Sequence, residues 1–118
     1  MSYVDGFILA VPKANLDAYK EMARQASEFW MKHGATAYVE ALADDVPYGE
    51  LTSFPRAVQA TDDETVVFSW IVYPSREVRD EVNKKVMADD DFMKNEEWRG
   101  VFDGKRMIYG GFKPFLEL

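Results

Sequence analysis

Tyr38 and Glu40 stand two positions apart in the stretch ATAYVEALADD, so on an extended chain the phenol and the carboxylate share one face with Thr36. A carboxylate beside a phenol can move a proton or hold the hydrogen-bond donor of a ligand. His33, the one histidine in the chain, lies just upstream and titrates in the range useful for acid-base work. It directly precedes Gly34, however, and a histidine in the last turn of a helix also serves the free carbonyls and the dipole there. That helix-end role is preferred to a base or haem ligand. The catalytic candidates are therefore His33, Tyr38 and Glu40, with the histidine the weakest.

Two cations add a second kind of chemistry. Arg56, after Phe54-Pro55, and Arg106, in FDGKRMIYGGF, can each grip a carboxylate through paired N–H groups. With 21 acidic residues in the chain, an internal carboxylate is the simpler partner for either. Trp70 and Tyr109, with Phe68, Tyr73 and Phe112, form an aromatic set able to line a pocket for a planar ligand, although core or interface packing explains them more simply. The ligand-binding candidates are Tyr38, Glu40, Arg56, Trp70, Arg106 and Tyr109. Gly110-Gly111 inside the last apolar run marks a bulge or the close approach of another group.

Metal chemistry is disfavoured. Asp44 and Asp45 precede Val46-Pro47, where aspartates build turns. The acidic runs at 62–64, 89–91 and 96–97 lack the alternating spacing and glycine of a calcium loop. With no cysteine, disulfides, thiolate nucleophiles and cysteine-ligated metals are excluded, so no metal and no cofactor are expected.

The elements that must position these groups read as follows. YVDGFILAV, 3–11, is a strand ending at Pro12. Asn15 caps a helix whose apolar positions include Leu16, Tyr19, Ala23, Ala26 and Trp30, with Glu28 and Lys32 paired on its outer face and Gly34 ending it. A strand over 35–43 follows. Turn signals fill 44–64, with a short extended piece expected near 56–60. TVVFSWIVY, 65–73, is the strongest strand. Ser75 then caps a helix carrying Val78, Val82 and Val86, with Asp80–Lys84 and Glu81–Lys85 as surface pairs, and a broken helical turn and a strand over 106–116 close the chain.

This order is βαβ twice, which predicts one α+β domain over 1–118: a ferredoxin-like βαββαβ sandwich with an antiparallel four-stranded sheet and two main helices on one face. Helices on one side leave the other bare. Yet the 65–73 strand is apolar on both sides, with Val66, Phe68, Trp70 and Val72 opposite Val67, Ile71 and Tyr73. Removing several hundred Å² of apolar surface from water supplies on the order of 10 kcal/mol, so a homodimer packed through the sheet face is expected.

A net charge of −7 without a basic stripe argues against nucleic acid and anionic membrane surfaces as partners. The N-terminal apolar run lacks a basic flank and is soon broken by Pro12, so neither a signal peptide nor a membrane span is read, and a cytoplasmic location is expected.

The stretches MSYVDGF, VPKAN, DDVP, FPRAVQA, DETVVFSWIVYPS, VMAD and FDGKRMIYGGF resemble, from end to end, a bacterial domain-of-unknown-function family, number 1428, within the dimeric α/β-barrel superfamily. The resemblance implies a ferredoxin-like protomer whose sheets pair into a barrel, and no assigned activity. The superfamily holds cofactor-free monooxygenases acting on polycyclic phenols, haem-degrading enzymes and amino-acid sensors, but none of their catalytic motifs maps residue by residue onto this chain. Three functions follow: a homodimer binding a small aromatic or anionic molecule between sheet and loops, a cofactor-independent monooxygenase-like enzyme, or a structural dimer without a ligand.

Overall fold

The computed structural model describes residues 2–118. Its frame is a four-stranded antiparallel sheet in the order β2-β3-β1-β4, formed by β1 (Tyr3–Pro12), β2 (Ala37–Leu42), β3 (Glu64–Tyr73) and β4 (Ile108–Phe112). Helix α1 (Leu16–His33) links β1 to β2, and α3 (Arg76–Met87) follows β3. Short helices α2 (Phe54–Ala57) and α4 (Asp90–Met93) sit in the connections. This is the expected α+β ferredoxin-like arrangement.

Alternation along the strands sends odd-numbered residues of β1 and β3 to the helices. Leu9, Val11 and Val67 pack with Tyr19 and Ala23 of α1, while Ile71 and Tyr73 pack with Val82 and Val86 of α3. Register carries the pattern to β2: Tyr38 pairs with Ile71 and Glu40 with Ser69, so both look toward the helices. The opposite face presents Val4, Ile8, Phe68, Trp70, Ile108 and Phe112, with Phe68 42% and Phe112 64% exposed. At one end Val58, just past α2, covers Ala10 and Val66, and the rest of that face is open. The two-sided apolar pattern of β3 thus reflects one face under helices and one without a cover in the protomer.

Several local expectations change. Asn15 precedes α1 but does not cap it: its Nδ2 donates to the Val101 carbonyl at 3.0 Å, because the chain enters the helix through a 3-10 turn over Lys13–Asn15. Gly34 ends α1 at φ 130°, and a Cβ there would meet Val82 Cγ2 at 3.2 Å. The extended piece expected near 56–60 is absent: the helix 54–57 runs into it and a turn follows, because Ser53 accepts from the Arg56 N–H and Pro55 fits the first turn. Ser75 caps α3 as expected, accepting from the Val78 N–H.

The surface charges choose other partners than the pairs expected, some of them four residues the other way along the same helix. Glu28 pairs with Arg24 at 3.1 Å, and Lys32 reaches Asp89 at 3.4 Å. Asp80 meets Arg79 at 3.0 Å and Arg76 at 3.9 Å. The last strand begins at Ile108, two residues later than read, because Gly104–Arg106 turns as a 3-10 segment held by Asp103.

Candidate functional site

Between the sheet and α1 lies a cavity of about 270 Å³, walled by aromatic and thioether side chains from both layers and from the segment after α3. Phe92 of α4 and Trp98 close its far side, their rings 5.3 Å apart, and Phe92 stands 5.3 Å from Trp30. Phe102 meets Tyr19 edge-on at 5.7 Å. Three polar tethers from α1 and the turn before it hold this covering segment: Asn15 to the Val101 carbonyl, Gln25 to the Trp98 indole N–H at 3.2 Å, and His33 with Lys32 to Asp89.

One carboxylate faces this aromatic wall. Glu40 accepts a hydrogen bond on each oxygen, from the Tyr19 hydroxyl on Oε1 and from the Tyr38 hydroxyl at 2.8 Å on Oε2. Burial and then the neighbouring Glu40 charge push both phenols well above the ordinary tyrosine range, so they stay protonated and donate. Ser69, buried and opposite Glu40 in the ladder, puts a hydroxyl into the same wall. A second groove of about 440 Å³ adjoins on the outer side of the Tyr19–Glu40–Tyr38 cluster, with Lys20 and Arg24 at its edge. Arg24 is committed to Glu21 at 2.6 Å and Glu28 at 3.1 Å, and among the described residues no basic side chain forms an ion pair with Glu40.

The structure brings Tyr38 and Glu40 together but leaves the other candidates elsewhere. Trp70 is on the opposite, open face, in a groove of about 600 Å³ with Phe68, Ile108 and Phe112. Tyr109, 74% exposed, lines the rim of the same groove and stacks on Phe7 at 6.4 Å, so Trp70 and Tyr109 are brought together there, away from Tyr38 and Glu40. Arg56 stacks over Tyr48 at 3.9 Å and donates to the Tyr48 and Gly49 carbonyls, pinning the loop before α2. Arg106 is taken by Glu64, Asp103 and the Gln59 carbonyl. His33 sits outside the cavity, with Nε2 3.3 Å from Asp89 Oδ2, and holds that carboxyl below its usual range. Tyr73 is fully buried and donates to Asp5 Oδ2 at 2.9 Å. Tyr19 carries no signal in the sequence beyond its place in the apolar stripe of α1, and only the packing of α1 on β2 brings its hydroxyl to Glu40. Among the described residues no three His, Asp or Glu side chains cluster as a metal set, and no helix is long and apolar enough to cross a membrane.

The profile of the family described as "Protein of unknown function (DUF1428)" matches residues 2–104. The chain belongs to the DUF1428 family. The uncharacterized protein YbaA of Escherichia coli K12 is 52% identical over 117 residues, covering 99% of each chain. Among solved structures, a dimeric ferredoxin-like protein from an uncultured marine organism superposes with a TM-score of 0.61 at 10% identity, covering 100% of both chains. A variant of SnoaB, a cofactor-independent oxygenase from Streptomyces nogalater, superposes with a TM-score of 0.60 at 14% identity, covering 99% of this chain and 96% of that one. These likenesses show that this DUF1428 member shares the ferredoxin-like α+β fold.

Proposed function

We propose that this DUF1428 protein is, as one domain over residues 1–118, a cytoplasmic homodimer that binds a small aromatic molecule in the cavity between sheet and α1. The Tyr19–Glu40–Tyr38 cluster facing that cavity carries the reading: a carboxylate with both oxygens held by neutral phenols, at the edge of an aromatic space of about 270 Å³. Such a site, apolar with a few placed polar groups, is the usual form of a small-molecule pocket. The wall offers a carboxylate and no paired cation, which favours an aromatic over an anionic occupant. The open face with Phe68, Trp70 and Phe112 is the surface a second copy would cover, and the likeness to a dimeric ferredoxin-like protein supports this. Lack of cysteine suits a reducing compartment.

A thermal-shift screen with aromatic compounds tests the binding reading, because a ligand specific for the folded state raises its stability. Hits are expected to raise Tm in the wild type and to lose their effect in Ala26→Leu, which fills part of the cavity wall. A dimer in which no aromatic compound shifts Tm would leave the structural-dimer reading instead.

The oxygenase reading rests on the same carboxylate. Glu40 would take the proton of a phenolic substrate, and dioxygen would oxidise the resulting phenolate to a quinone, one oxygen atom forming the new C=O bond and the other leaving as water with the ring hydrogen and the phenolic proton. Tyr38 is a donor here and His33 lies outside the cavity, so the base passes to Glu40. Oxygen uptake with a bound phenol, abolished in Glu40→Gln, would favour it over simple binding.

A further inference from the structure

Glu40 lacks the partner that half-buried carboxylates ordinarily have. Two neutral phenols occupy one acceptor site on each oxygen, yet a carboxylate offers about four such sites. Taking a charge out of water is costly unless an opposite charge compensates. Arg24 is spent on Glu21 and Glu28, and Lys20, at the edge of the outer groove, forms no ion pair among the described residues. The remaining wall is aromatic: Trp30, Phe92, Trp98 and Phe102 turn rings around the space beside the carboxylate. Ring faces carry negative potential and attract an ammonium group, most strongly where water is excluded.

The carboxylate therefore asks for a cation, and the rings beside it tolerate that charge while packing an apolar body. We infer that the occupant of this cavity is a small organic cation, an amine with an aromatic body, whose ammonium group pairs with Glu40 while its ring lies among Trp30, Phe92 and Trp98. The inference rests on the cavity being the ligand site proposed above. Size sets the scale: an apolar cavity of about 150 Å³ holds benzene, so about 270 Å³ leaves room for one ring and a short aminoalkyl chain. The net charge of −7 raises the local concentration of such cations and lowers that of acids of the same shape.

Three probes of one shape and different charge test this by calorimetry and by quenching of tryptophan fluorescence: phenethylamine, phenethyl alcohol and phenylacetate. The amine is expected to bind about tenfold or more tightly than the alcohol, as for a charge-assisted hydrogen bond in place of a neutral one, and phenylacetate not at all. Glu40→Gln should bring amine and alcohol to similar affinity, while Lys20→Ala should leave the amine unchanged. The wild-type comparison stands even if Glu40→Gln folds poorly. Equal or tighter binding of the alcohol or of phenylacetate would overturn the cation while leaving the cavity as a ligand site. Failure of all three to bind would overturn both.

Discussion

Arg106 holds Glu64 with two parallel hydrogen bonds, Nη1 to Oε1 at 2.8 Å and Nη2 to Oε2 at 2.6 Å, although 42 residues separate them. The same guanidinium reaches Asp103 at 3.0 Å and the Gln59 carbonyl at 2.8 Å. Glu64 is thus the internal carboxylate expected for Arg106, and the pair ties the turn before β4 to the start of β3.

Arg106→Ala should therefore destabilise the fold, because the Glu64 carboxylate, 7% exposed, loses both of its paired donors. Arg106→Lys should recover only part of this, because an ammonium cannot make the paired contact. Urea unfolding of the three proteins at neutral pH measures it.

The same pair sets an acid limit. Arg106, followed by the Thr61 N–H, holds the Glu64 carboxyl down to about 2. A folded-state value below the unfolded one, about 4.3, contributes stability that is complete above that value and lost as pH falls toward 2. Wild-type stability should fall across this window more steeply than that of Arg106→Ala. Parallel curves would show that Glu64 is not the group responsible.

At the alkaline end the sign reverses. Tyr19, Tyr38 and Tyr73 are all pushed above the usual tyrosine range, first by burial and then by Glu40 or Asp5. A phenol that ionises more readily unfolded contributes stability present below about pH 10 and lost as pH rises beyond it. An ultraviolet titration should show these three of the six tyrosines ionising only with unfolding. Tyr38→Phe and Tyr73→Phe should each remove one chromophore from that late step.

Gly111 carries a steric prediction with an internal control. A Cβ there would press on the Arg79 guanidinium and lie 2.5 Å from the hydroxyl and 2.8 Å from the ring of buried Tyr3, and Arg79 donates to that hydroxyl at 3.2 Å. Gly111→Ala should cost about 1–3 kcal/mol, as overpacking does. At Gly110 a Cβ would meet only the Phe112 ring, at 3.7 Å, so Gly110→Ala should change stability by less than about 0.5 kcal/mol. Thermal unfolding of both variants checks the difference.

The open face gives the assembly prediction. Light scattering should report twice the 13.6 kDa chain mass for the wild type and a single chain mass for Trp70→Asp, which places a charge at the centre of that face. A wild type of one chain mass at micromolar concentration would remove the dimer.

The main elements were legible because their signals are local. The spacing of Tyr19, Ala23 and Ala26 describes a helix face wherever α1 packs, and Gly34 stops that helix for a backbone reason of its own, a positive φ. The lack of polar alternation in β3 showed that both faces need covering. Partners were less legible. Glu28 chose Arg24 over Lys32, and Lys32 reached across to Asp89, because long charged side chains on a helix have several partners within reach and tertiary neighbours decide among them. His33 went the same way, to Asp89 rather than to its own helix end.

By itself, the sequence determined the order of the strands and helices, the two-sided apolar sheet, and the shared face of Tyr38 and Glu40, since all three follow from periodicity and backbone preference along a single segment. Only the tertiary structure decided which way that shared face looks. The register of β2 on β3 turns it toward α1, where Tyr19 completes the grip on Glu40 and the segment after α3 closes an aromatic cavity around it. It also sent Trp70 to the opposite face, and Arg56 and Arg106 to internal partners. Each outcome depends on distances between residues far apart in the chain, which no local pattern encodes.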